Sequence, residues 1–116
     1  MNIIFKENLV NIDQKYTILD LDTFQLPDGS VHTACCIIDS IPILELAMTE
    51  NLKEIHAELI ANYGQRCWGY CEQAIEQLMG KWGGEVDTFY AELSARITKY
   101  QEQEPPSDWN GIILRE

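Results

Sequence analysis

Two apolar helical runs joined by a glycine-rich turn constrain this chain more than any other feature. Trp68, Cys71, Ile75 and Leu78 recur on one stripe and predict a helix over about 65–79, stopped by Gly80. Val86, Phe89, Tyr90, Leu93, Ile97 and Tyr100 predict another over about 85–102. The turn between them reads Gly80-Lys81-Trp82-Gly83-Gly84-Glu85. Glu85 and Asp87 complement the dipole of the later helix, and Glu92 with Arg96 forms a favourable i, i+4 pair. Glu102 and Glu104 stand at the wrong end for that dipole, so the last turn is expected to fray before Pro105-Pro106. Each helix is apolar on one side only and needs a surface to bury against.

A β-hairpin over about 16–38 supplies that surface. In Leu26-Pro27-Asp28-Gly29-Ser30, proline presets the first turn position and Gly29 accepts a positive φ. A three-residue loop then sets Leu26 opposite Ser30 and, further out, Phe24 opposite His32, Asp22 opposite Ala34, Asp20 opposite Cys36 and Ile18 opposite Ile38. On the other face Gln25 meets Val31, Thr23 meets Thr33, Leu21 meets Cys35 and Leu19 meets Ile37. The apolar base of this second face is expected to cover the helices, leaving Asp20 and Asp22 half solvated.

The flanking segments read less sharply. Ile3-Ile4-Phe5 fits a short strand. Ile41, Leu44, Met48, Leu52, Ile55, Leu59 and Tyr63 fit one long helix from Pro42 with Ser40 as its cap. Thr49-Glu50-Asn51 instead fits a fresh helix start, and this reading is favoured: a strand or single turn at 42–47, then a helix over about 50–62 ended by Gly64 in the left-handed conformation. The tail, 107–116, carries Trp109 and Ile112-Ile113-Leu114, too apolar to hang free, and is expected to dock on the sheet edge or on a second subunit. The sum is a single α+β domain over 1–116, an antiparallel hairpin or small sheet packed against about three helices.

Charge excludes some partners. Nineteen acidic residues against eight basic give a formal charge of -11 at pH 7, and between Lys15 and Lys53 stand Asp20, Asp22, Asp28, Asp39, Glu45 and Glu50 with no basic residue. Nucleic acids and anionic membranes need neutralising Lys and Arg, so neither is an expected partner; a basic protein is. No apolar run approaches the roughly 20 residues of a membrane span, and no basic segment leads into a long apolar stretch at the N-terminus, so a cytoplasmic protein is expected. The four cysteines follow no secreted disulfide framework and are expected as thiols.

Chemistry finds little to work with. Cys67 and Cys71 share a helical face, but Cys35 and Cys36, adjacent on a strand, point to opposite faces, so four ligands do not converge and no metal or other cofactor is expected. Asp20, Asp22 and His32 on one hairpin face, with Phe24 beside the histidine, fit a solvated face first and a ligand contact second. His56, beside the apolar stripe of its helix, fits a boundary residue making one hydrogen bond. The turn at Gly80 lacks the order of a phosphate-binding loop and follows a helix where that loop follows a strand. No nucleophile and base stand in a recognisable order, and no catalytic residue is assigned. Trp82 packed back on the core is the plainer reading of the turn. The functional one leaves Trp82 exposed as an anchor, with Lys81 and Gly83 approachable.

The segment from Tyr63 to Ile97, above all Trp68-Gly69-Tyr70-Cys71-Glu72-Gln73-Ala74-Ile75-Glu76-Gln77-Leu78 and Gly80-Lys81-Trp82-Gly83-Gly84-Glu85-Val86-Asp87-Thr88-Phe89-Tyr90, resembles small uncharacterised proteins of environmental phages and mobile integron gene cassettes. The resemblance spans about a third of the chain and implies an accessory gene, with no activity and no catalytic residue to carry over. Two functions follow as expectations. One is an acidic accessory protein that binds and neutralises a basic protein, steered by carboxylates from Asp20 to Glu50 and anchored by Trp82 or Trp109. The other is a homo-oligomeric protein that binds a small ligand in an aromatic pocket of Tyr63, Trp68, Phe89 and Tyr90.

Overall fold

The turn at Pro27 folds as its residues dictate. In the computed structural model, which describes residues 2–8, 16–38 and 46–114, Gly29 takes φ +88° and its N–H bonds the Leu26 carbonyl. The Leu26 N–H bonds the Ser30 carbonyl, so Leu26 and Ser30 face each other, and Asp28 accepts from both the N–H and the hydroxyl of Ser30. This closes β2 (Thr17–Gln25) on β3 (Val31–Ile38). The short N-terminal strand β1 (Asn2–Phe5) pairs antiparallel with β3, and the tail strand β4 (Ile113–Leu114) pairs parallel with β2. The strand order is β1-β3-β2-β4, so the tail docks on the sheet edge.

The hairpin register holds near the turn and slips below it. Thr23, Phe24 and Gln25 pair with Thr33, His32 and Val31 as the loop dictates. Beyond a bulge, Asp20 faces Cys35, Leu19 faces Cys36 and Ile18 faces Ile37, each one residue away from the expected partner. Leu21 and Asp22 together oppose Ala34. Burial is the reason: the extra residue lets Leu19 and Leu21 share the helix-facing side with Ala34, Cys36 and Ile38, all buried in one core. Asp22, expected on a solvated face, joins the helix side instead, while Asp20 keeps to the outer face and accepts from the Cys35 thiol at 3.4 Å.

Among the described residues three helices cover the inner face: α1 (Leu46–Gly64), α2 (Trp68–Leu78) and α3 (Asp87–Glu102). The helix expected from residue 50 starts by Leu46, so Thr49 is an interior, buried residue and not a cap. Most of the 42–47 segment lies outside the described residues, as do Asp39 and Glu45. At the end of α1 the left-handed residue is Arg66, φ +64°, not Gly64. The Cys67 N–H reaches back to the Asn62 carbonyl and the Arg66 N–H to that of Tyr63, a helix-ending pattern usually built on glycine. Leu52, Leu59, Cys71, Ile75, Leu78, Val86, Phe89, Leu93 and Ile97 fill the space between helices and sheet.

Candidate binding groove

The sequence-predicted site residues fall into three separate places. Trp82 is 4% exposed and is therefore core rather than anchor, although Lys81 and Gly83 on either side are exposed. Gly83 and Gly84 take φ of +66° and +81°, which turns the chain inward at Trp82. The Trp82 indole N–H donates to the Tyr90 hydroxyl at 3.1 Å, and Tyr90 in turn lies 2.9 Å from Nδ1 of His56. Nε2 of His56 is 2.6 Å from the backbone carbonyl of Asp20. A carbonyl only accepts, so Nε2 carries the proton, Nδ1 accepts from Tyr90, and the chain of donation runs from Trp82 through Tyr90 and His56 to Asp20. His56 is 2% exposed and satisfied at both nitrogens, not the boundary residue with one bond that its position implied. Burial pushes the His56 pKa down and the Tyr90 pKa up.

Trp109 and Trp68 belong to a second cluster, where the tail crosses the helices. Tyr63 meets Trp109 edge-on at 5.3 Å, Trp68 stacks on Tyr100 at 5.7 Å, and Tyr100 lies 5.2 Å from Trp109. The Arg66 guanidinium sits over the Trp109 ring and donates to the carbonyls of Pro105, Pro106 and Trp109. The left-handed backbone at Arg66 thus aims its side chain at the tail. Tyr63 and Trp68 stand here, while Tyr90 is buried with His56 and Trp82, so these aromatics do not form the shared pocket that the sequence suggested.

The third place is the hairpin. Asp20, Asp22 and His32 do not converge. Asp20 pairs with Lys6 at 3.3 Å on the outer face, His32 bridges Glu7 and Ser30, and Asp22 takes both arms of the Arg96 guanidinium at 2.8 and 3.0 Å. The Asp22 side chain is 14% exposed, and this two-armed pair, with Tyr63 beside it, raises the Arg96 pKa further. Asp20 and Asp22, both assigned to steering, are therefore engaged within the fold, as is Asp28 at the turn.

Beside Asp22 opens a groove of about 380 Å³. Ile3, Ile4 and Phe5 of β1 make one wall, Leu21, Phe24 and Ala34 the floor, and Thr88, Phe89 and Glu92 of α3 the other wall. Ile3 is 57% exposed and Phe5 41%. Its charged lining is acidic, Asp22 and Glu92, with Arg96 bonded to the former and 3.9 Å from the latter. A depression of about 370 Å³ between β2 and α1 is lined by Ile18, Lys53, His56, Ala57 and Ile60 among others, with Ile18 and Ile60 half-buried where Ile3 and Phe5 stand exposed. Little in the sequence marks the groove, because its walls lie far apart in the chain. Its one local signal is the apolar run Ile3-Ile4-Phe5, more than a four-residue edge strand needs.

Among the described residues no group of three or more His, Cys, Asp or Glu is placed to hold a metal ion. Cys67 is exposed, whereas Cys71 is buried and its thiol points to the Leu59 carbonyl. Burial pushes the Cys71 pKa up to about 11. No helix among the described residues is long and apolar enough to cross a membrane. No family model, curated protein or solved structure matches the chain.

Proposed function

We propose that the protein acts by binding, taking an apolar group carried by a basic partner protein into the groove between β1 and α3, as an accessory protein that occupies and neutralises that partner. The observation that carries this reading is the pairing of exposed Ile3 and Phe5 with an apolar floor under an acidic rim. The formal charge of -11 supports it, because a cationic partner is drawn to such a surface and an anionic one is repelled. Trp82 takes no part, and the tail carries Trp109 to the opposite use of closing the helix ends.

A compact small ligand is the second reading, favoured by a groove volume within the roughly 300 to 1,000 Å³ of ligand pockets. Titration of isotope-labelled protein with indole fragments that are cationic, neutral or anionic tests the groove. The strongest shifts are expected at Ile3, Phe5 and Thr88 with the cationic fragment, and their loss in Ile3→Asp. Shifts centred on Trp109 and Tyr63 would refute the assignment. A partner protein predicts association that slows steeply with salt; a neutral small ligand predicts stabilisation with little salt dependence.

A further inference from the structure

We propose that β1 accepts an extended basic peptide segment as an added strand, which lays its apolar side chains against Ile3 and Phe5 at the rim of the groove. The inference rests on the groove being a binding site and gives its partner a backbone form and a charge.

In the order β1-β3-β2-β4, β1 is the edge, and among the described residues no strand pairs along its outer side. Every second residue of such a strand turns its N–H and C=O outward, a ready template for another chain. The opposite edge is treated differently: β4 pairs with Phe24 and Gln25, and His56 caps the Asp20 carbonyl lower down. Ile3 and Phe5 pair with Cys36 and Ala34, residues of the helix-facing side, so their side chains stand on that side. A strand added about 5 Å beyond β1 places its alternate side chains on the same side, next to Ile3 and Phe5 and facing the open flank of α3. Charge then chooses the occupant. Two carboxylates, Asp22 and Glu92, meet one guanidinium at the groove, and the chain as a whole carries -11. Lysine or arginine flanking the apolar residue is favoured there, and a second copy of this chain brings the wrong sign.

The test uses the full chain and a short peptide alternating Lys with Val or Leu, beside the same peptide N-methylated at alternate residues to remove one row of backbone donors. Binding is expected to slow hydrogen exchange of β1 amides, to weaken about tenfold on N-methylation, and to weaken in Ile3→Asp even though that variant adds negative charge. Equal binding of both peptides, with shifts confined to groove side chains, overturns strand addition and leaves the groove reading standing. No shift at the groove with either peptide, or tighter binding by Ile3→Asp, overturns both, leaving bulk charge attraction. A dimer of the peptide-free protein that Ile3→Asp dissociates overturns the inference in favour of a second copy on the edge.

Discussion

Replacing His56 by glutamine isolates the buried chain of hydrogen bonds at the centre of the molecule. In the folded protein His56 accepts from Tyr90 and donates to the Asp20 carbonyl, so it is neutral. A proton on Nδ1 would place a charge in a core 2% exposed and turn a second donor on Tyr90, whose own hydroxyl hydrogen then has nowhere to go. The folded pKa therefore lies below the ordinary 6.5, as desolvation requires. Below about pH 6.5 the unfolded chain binds a proton that the folded one refuses, so stability falls as pH falls, by up to 1.4 kcal/mol per pH unit. Between pH 7 and pH 5 this loss is bounded at about 2 kcal/mol by proton uptake of the unfolded imidazole. His56→Gln retains one donor and one acceptor but cannot be charged. Its packing cost is a pH-independent offset. Urea unfolding of both proteins at several pH values checks the argument: every other ionisable group is common to the two, so the difference between the two curves reports His56 alone. The variant is expected to gain on the wild type as the pH falls from 7 to 5, by at most about 2 kcal/mol. A difference that stays flat over that range would refute the neutral, doubly bonded histidine.

Other perturbations follow from the same structure. Arg66→Ala loses the three carbonyl bonds to the tail while keeping a Cβ at positive φ, whereas Arg66→Gly loses only the bonds; thermal unfolding should place Ala about 1 kcal/mol below Gly, and equal stability would remove backbone strain from the account. Arg96→Met leaves the Asp22 carboxylate unpaired on the helix side and is expected to cost about 3 kcal/mol, most of it recovered in the double variant with Asp22→Asn. Glu50, Glu54 and Glu58 follow one another at i, i+4 along α1, so Glu54→Lys is expected to add about 0.5 kcal/mol by chemical denaturation at low salt, a gain that high salt erases. A thiol reagent should label Cys67 alone in the native protein and all four cysteines in denaturant, since Cys35, Cys36 and Cys71 are buried; rapid labelling of a second thiol would show the core opening.

The chain fixed by itself whatever depends on near neighbours. Pro27, Asp28 and Gly29 set a turn whose bonds close within four residues, and the pairing beside it follows. The stripes of α2 and α3 name their buried sides because helical periodicity is local, and the apolar tail had to dock because water would not have it. Packing decided the rest. The bulge at Leu21 and Asp22 exists because the core needed Leu19 and Leu21 together with Ala34 and Cys36, a demand invisible in a register counted from the turn. Trp82 could have faced either way from its glycine-rich turn; Tyr90 and His56, contributed by two different helices, give its N–H a buried partner and settle it inward. Arg66 replaces the glycine expected at the end of α1 because the tail offers three carbonyls to its side chain. The groove has the same origin, since residues 3–5, 21–34 and 88–92 meet there only after the sheet is built and α3 laid across it. Local patterns chose the elements, and the burial of groups distant in sequence chose what each element presents.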